Sequence, residues 1–222
     1  MSSHFKAFLV VMVLTVLSFW IARSTFTKFM SDESFVRRRN LWLSLTACAF
    51  LLPSFWLFMG AAAVLIWRAG RREPNPAAMY LFLLLVMPPF QQLIPGFGLV
   101  NQLFPLDHFR LIGLVLIVPA AIRMRRAARA AFDRPVRSNW LAPDVLLTIY
   151  GLLPIALFAP YTPLTGSIRS LFLLGLDLLL PYYVLSRSCT SKAMIVEAIA
   201  ALALSAVVLV PMAVFESVKG WL

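Results

Sequence analysis

The sequence predicts an all-α, polytopic transmembrane helix bundle with a short membrane hairpin over 41–67, and three observations lead there. Hydrophobic residues make up 61% of the 222 residues against 13% charged, too little polar surface to cover a water-soluble globule of this size. The mean hydropathy is +0.87. The apolar residues fall in runs too long for barrel strands and without their two-residue alternation, so helices are the way to satisfy the backbone in lipid. Arg-rich segments separate these runs.

The net charge of +11 resides in those segments. Arg37, Arg38 and Arg39 precede one apolar run, Arg68, Arg71 and Arg72 follow it, and Arg123, Arg125, Arg126, Arg129, Arg134 and Arg137 crowd a third segment. Stretches 92–106 and 157–168 hold no Lys or Arg. This is the asymmetry of the positive-inside rule, which accounts for the charge without nucleic acid as a partner. It predicts a multi-pass membrane protein, with 68–76, 123–139 and 187–193 in the cytoplasm and 91–107 and 160–166 outside.

A single integral membrane domain is expected over 1–222. Its first apolar segment, 5–22, is near the lower limit for a crossing helix and lacks both a basic leader and a small-residue cleavage site, so a retained helix is expected. A start at Met30 instead of Met1 is the alternative. The run 41–67 would reach about 40 Å as one helix, beyond a hydrocarbon core of about 30 Å. A break near Pro53 and Ser54 turns it into two short arms and keeps both Arg clusters on one side. Segment 77–90 runs outward to Pro88 and Pro89, followed by the turn-rich loop "QQLIPGFGLVNQLFPLD". Asp107 is placed as N-cap of a returning helix over 108–122. Segments 145–159, 167–186 and 193–215 complete the bundle.

Soluble-enzyme motifs are missing from the sequence, and the "PGFG" stretch reads as a turn. Cys48 and Cys189 support no disulfide framework, and with His4 and His108 the only histidines, neither a metal site nor a cofactor is expected. The polar groups inside apolar runs are therefore the functional candidates. Asp177 sits within "LFLLGLDLLLPYYVLSR", where an unpaired carboxylate is costly; it is expected buried in the bundle, as a packing hydrogen bond to Tyr182, Tyr183 or another helix, or as part of a transport or glycan path. Arg110 and Arg169 lie just inside the external ends of their helices, against the main charge pattern. Paired guanidiniums there can clamp a pyrophosphate, or snorkel to ordinary lipid phosphates. Adjacent Asp107 and His108 point about 100° apart on a helix and read as a cap beside an interfacial histidine rather than a proton-transfer pair. Glu197 and Glu216 read as solvated at the interface.

The segments "PPFQQLIPGFGLVNQLFPLDHFRLI", "RSLFLLGLDLLLPYYVLSRS" and "AVFESVKGWL" resemble the amino-terminal half of O-antigen ligase-like and polysaccharide-polymerase-like membrane proteins of the exopolysaccharide and exosortase-associated type. The resemblance covers roughly 35–222. It implies handling of an undecaprenyl-diphosphate-linked glycan at the periplasmic face, with Arg169, and less strongly Arg110, as substrate-binding residues and Tyr182 and Tyr183 shaping the helix interface. The family's large periplasmic loop and later helices, which carry its main catalytic residues, have no counterpart before Leu222. The resemblance therefore implies a short form or the first half of a longer or split enzyme, inactive in transfer by itself, for which a partner polypeptide is one source of the remaining helices. The alternative is a non-enzymatic transporter subunit or membrane assembly scaffold.

Overall fold

The computed structural model describes residues 3–95, 102–131 and 142–219. Residues 96–98 of the "PGFG" stretch and the arginines at 134 and 137 lie outside them. The described chain is an all-α bundle of eight helices, 85% helical. Among the described residues four helices are long and apolar enough to cross a membrane: Phe5–Phe26, Pro143–Tyr161, Leu164–Ser188 and Lys192–Lys219, with Pro76–Val86 a shorter apolar helix. The bilayer is the environment these surfaces fit. Where hydropathy reads one domain, the chain forms two compact units: Met1–Pro88 with Ser188–Leu222, and Pro89–Arg187.

The first unit contains α1 (Ser3–Phe26), α2 (Asp32–Leu51), α3 (Phe55–Arg71), α4 (Pro76–Val86) and α10 (Lys192–Lys219). Helix α2 starts where the Ser31 side chain accepts the Ser34 amide, and Asp32 and Glu33 then favour the positive helix end. It ends at Leu52, which adopts an extended conformation because the following Pro53 disfavours the helical one. The expected break is therefore present, but α2 begins at Asp32 rather than at 41, so the Arg37–Arg39 triplet is helical rather than in a loop. Helix α4 opens with Pro76 at its first position, where the missing N–H costs nothing, and the Asn75 side chain accepts the Ala78 amide.

The core of this unit is a line of edge-to-face aromatics. Phe19 of α1 packs on Phe35 and Trp42 of α2, at ring-centroid distances of 5.9 and 6.0 Å, and Trp42 on Phe82 of α4 at 6.1 Å. Such pairs contribute about 0.5–1.5 kcal/mol each beyond their burial. Helix α10 packs against α4, and the buried residues there include Ala77 and Ala78 from one and Ala198 and Ala201 from the other. Small residues let the two backbones approach, the main way apolar helices gain contact in lipid. Buried Thr15 and Ser18 donate to the carbonyls of Val11 and Leu14, each at 2.7 Å, leaving neither hydroxyl unsatisfied.

The second unit opens with an antiparallel hairpin that hydropathy reads only as a loop: β1 (Gln91–Pro95) pairs with β2 (Gln102–Asp107), Gln91 facing Asp107 and Leu93 facing Pro105. Proline is tolerated because a two-stranded ribbon has only edges. Asp107 then caps the next helix as expected, its carboxylate accepting the Arg110 amide at 2.8 Å. That helix is a continuous rod of α5 (His108–Ile112), a π-helical segment Gly113–Ile117, and α6 (Val118–Ala131), running past the expected end at 122. After α7 (Ala142–Phe158), a second rod joins α8 (Leu164–Leu173), a π segment Leu174–Leu179, and α9 (Leu180–Ser188). A Cβ at Gly151 of α7 would overlap the Leu174 side chain, so that glycine permits the close approach of α7 to the second rod.

Candidate functional site

Within the second unit the structure brings together two of the three polar residues singled out by sequence. Arg110 Nε donates to both carboxylate oxygens of Asp177 at 3.1 Å, and Nη2 donates to Oδ2 at 2.7 Å. Nη1 donates to the Pro105 carbonyl and lies 3.5 Å from Asp107 Oδ2. The guanidinium is thus held from two directions, by the β2–α5 junction and by the second rod.

Both partners lie at π-helical segments. Asp177 is inside the Leu174–Leu179 segment, and Arg110 precedes the Gly113–Ile117 segment by less than a turn. Gly113 faces Leu176, whose Cδ1 would lie 3.5 Å from an added Cβ, so the two wide turns pack against each other. An extra residue in a turn rotates the side chains that follow it, and such insertions occur frequently at functional positions.

The expectation that Asp177 is buried is corrected: its side chain is 38% exposed, whereas Arg110 is 13% exposed. A carboxylate in an apolar helix needs compensation, and here a charged hydrogen-bonded partner supplies it instead of enclosure. Of the partners expected, the one found is on another helix, Arg110, and not Tyr182 or Tyr183. Tyr183 instead lies under Arg187, whose Cζ is 4.4 Å from the ring centroid, and under Arg125 at 5.5 Å. Arg187 pairs with Asp144 of α7. Arg169, half-buried on α8, precedes Asp177 by about 12 Å along the axis. The His108 ring lies beside Phe90 and Phe109, and its buried Nδ1 has no hydrogen-bond partner among the described residues.

A second charged constellation, in the first unit, escaped the sequence reading. Arg38 is completely buried, and its Nη2 contacts Glu73 Oε1 at 2.9 Å and Glu197 Oε1 at 2.8 Å. Arg37 reaches Glu73 Oε2 at 2.9 Å and Glu33 Oε1 at 2.8 Å. Asn75 donates to Glu197 Oε2 at 3.1 Å and to the Met194 carbonyl at 3.0 Å. The cluster ties α2, the α3–α4 connection and α10 together. Two expectations are corrected by it: Arg38 is an interior counter-ion rather than a solvated loop charge, and Glu197 is only 16% exposed rather than solvated at the interface. Burial pushes the Glu73 carboxyl above its ordinary range, against the downward pull of Arg38 and Arg37. The signal in sequence was the glutamate next to Arg72 and the glutamate early in the last span; nothing in one dimension paired them with Arg38.

Among the described residues no three His, Cys, Asp or Glu side chains converge on a metal site. The fold and its polar groups define an all-α membrane-helix protein whose interior charges are paired between helices. Comparison with known protein families, curated proteins and solved structures finds no match for this chain.

Proposed function

We propose that this protein is an O-antigen ligase-like or polysaccharide-polymerase-like component of a bacterial inner membrane, spanning it several times and handling an undecaprenyl-diphosphate-linked glycan. The observation that supports this reading is the Arg110–Asp177 pair, because it joins two of the three segments that carry the family resemblance, 88–112 and 169–188, at one point. A guanidinium pre-oriented by a partly exposed carboxylate can exchange that carboxylate for a diphosphate, whose tetrahedral phosphoryl groups also accept two N–H donors and carry more charge. Arg169 adds a second cation on the rod that carries Asp177. In this reading the chain binds and positions the lipid-linked glycan.

The saturation of Arg110 by internal acceptors favours one other reading, a non-enzymatic membrane scaffold or transporter subunit in which the pair is a helix fastener. Binding of an undecaprenyl-diphosphate glycan to the purified full chain separates the two. Competition between Asp177 and the diphosphate predicts tighter binding in Asp177→Asn, weaker binding in Arg110→Ala and Arg169→Ala, and incomplete rescue by Lys at either arginine. Unchanged affinity in Arg110→Ala, Arg169→Ala and Asp177→Asn alike would leave the fastener reading.

A further inference from the structure

We infer that the end of α3 forms a binding site for the phosphate headgroup of an anionic phospholipid, separate from the Arg110–Asp177 site and independent of the glycan reading. Val64, Trp67, Arg68, Arg71 and Arg72 line an open cleft of about 580 Å³. Helical spacing of three and four residues puts Val64, Trp67, Arg68 and Arg71 on one face. Arg71 stacks on Trp67, with Cζ 4.9 Å from the ring centroid, so the ring orients one guanidinium while leaving its in-plane N–H groups available to an acceptor.

The charge here is not neutralised by any ion pair among the described residues. The nearby acids are taken by α2: Glu33 by Arg37, Glu73 by Arg37 and Arg38, and Glu197 by Arg38. Among the described residues no ion pair joins Arg68, Arg71 or Arg72, and all three are exposed. Positive charge does complement a helix C-terminus, and loop arginines do set orientation. Neither role requires three guanidiniums to share a cleft with an aromatic wall. Orientation depends on where the charges fall along the chain, whereas a bound headgroup needs them converging in space.

The neighbouring surface selects an amphiphile over a free anion. Val64 is 53% and Trp67 45% exposed, and Trp56 and Leu57 further back on α3 are more than half exposed. Apolar surface followed by an indole and then by guanidiniums is the order of environments that a phospholipid presents from acyl chain to headgroup. The ligand class is therefore a phosphodiester lipid with net negative charge.

The test titrates delipidated full chain, in neutral detergent, with phosphatidylglycerol or phosphatidylcholine and counts retained lipid by native mass spectrometry. Phosphatidylglycerol should bind about tenfold more tightly, and Arg68→Gln/Arg71→Gln/Arg72→Gln should abolish that preference. Because that variant can also disturb insertion, Arg68→Lys/Arg71→Lys/Arg72→Lys is the deciding one: it keeps the charge, and a guanidinium site should still lose about fivefold in affinity. Equal binding of the two lipids, or full selectivity in the Lys variant, would overturn the site. Displacement of phosphatidylglycerol by equimolar inorganic phosphate would also overturn it, by showing that the free anion is the ligand.

Discussion

Arg38 and Glu73 are both fully enclosed and lie 2.9 Å apart, so the first unit is fastened at one end by an ion pair that water does not reach. Taking two charges out of water is costly, and their attraction repays this only where the remaining donors and acceptors are also satisfied. Glu197 and Arg37 supply most of that satisfaction, while Arg38 Nε has no partner among the described residues.

Removing one member should therefore cost more than removing both. Arg38→Met strands Glu73 and Glu197 against a single remaining cation, and should destabilise the protein by about 3–5 kcal/mol. Arg38→Met/Glu73→Met should recover part of that loss. Thermal unfolding of the detergent-solubilised chain measures it; a double variant less stable than either single would contradict the pairing argument.

The Glu73 carboxyl also sets a pH dependence. Its folded-state value lies above the ordinary 4.5 because burial outweighs the pull of the arginines. A raised folded value contributes stability that is complete below 4.5 and is lost as pH rises through the folded value. Glu73→Gln cannot titrate there. The melting temperature of wild type relative to this variant should thus be highest near pH 4 and fall toward neutral pH, and a difference that grew with pH would reverse the sign of the shift.

The topology proposed from the arginine asymmetry can be tested with an impermeant thiol reagent on spheroplasts, after replacing Cys48 and Cys189 by Ser. Thr162→Cys, in the short turn before α8, should be labelled from outside. Ser191→Cys, beside Lys192 at the start of α10, should be labelled only after lysis. Labelling in the opposite pattern would invert the assigned orientation.

Features governed by neighbouring residues along the chain were legible before the fold was known. The apolar runs require helices, Pro53 forces Leu52 out of the helical region, and Asp107 can cap because its acceptor lies three residues from the amide it takes. Each involves contacts within about one turn, so local composition determines it. Tertiary structure decided the partners. Arg38 and Glu197 are 159 positions apart and Arg110 and Asp177 are 67 apart, and nothing in one dimension distinguishes an arginine that orients a loop from one that neutralises an interior acid. The π segments and the division into two units likewise depend on how helices pack, because a wide turn such as Leu174–Leu179 forms where facing side chains accommodate it. A sequence determines which groups cannot be left alone in an apolar medium; the packed fold determines which other group satisfies each of them, because that choice depends on distances the chain order does not contain.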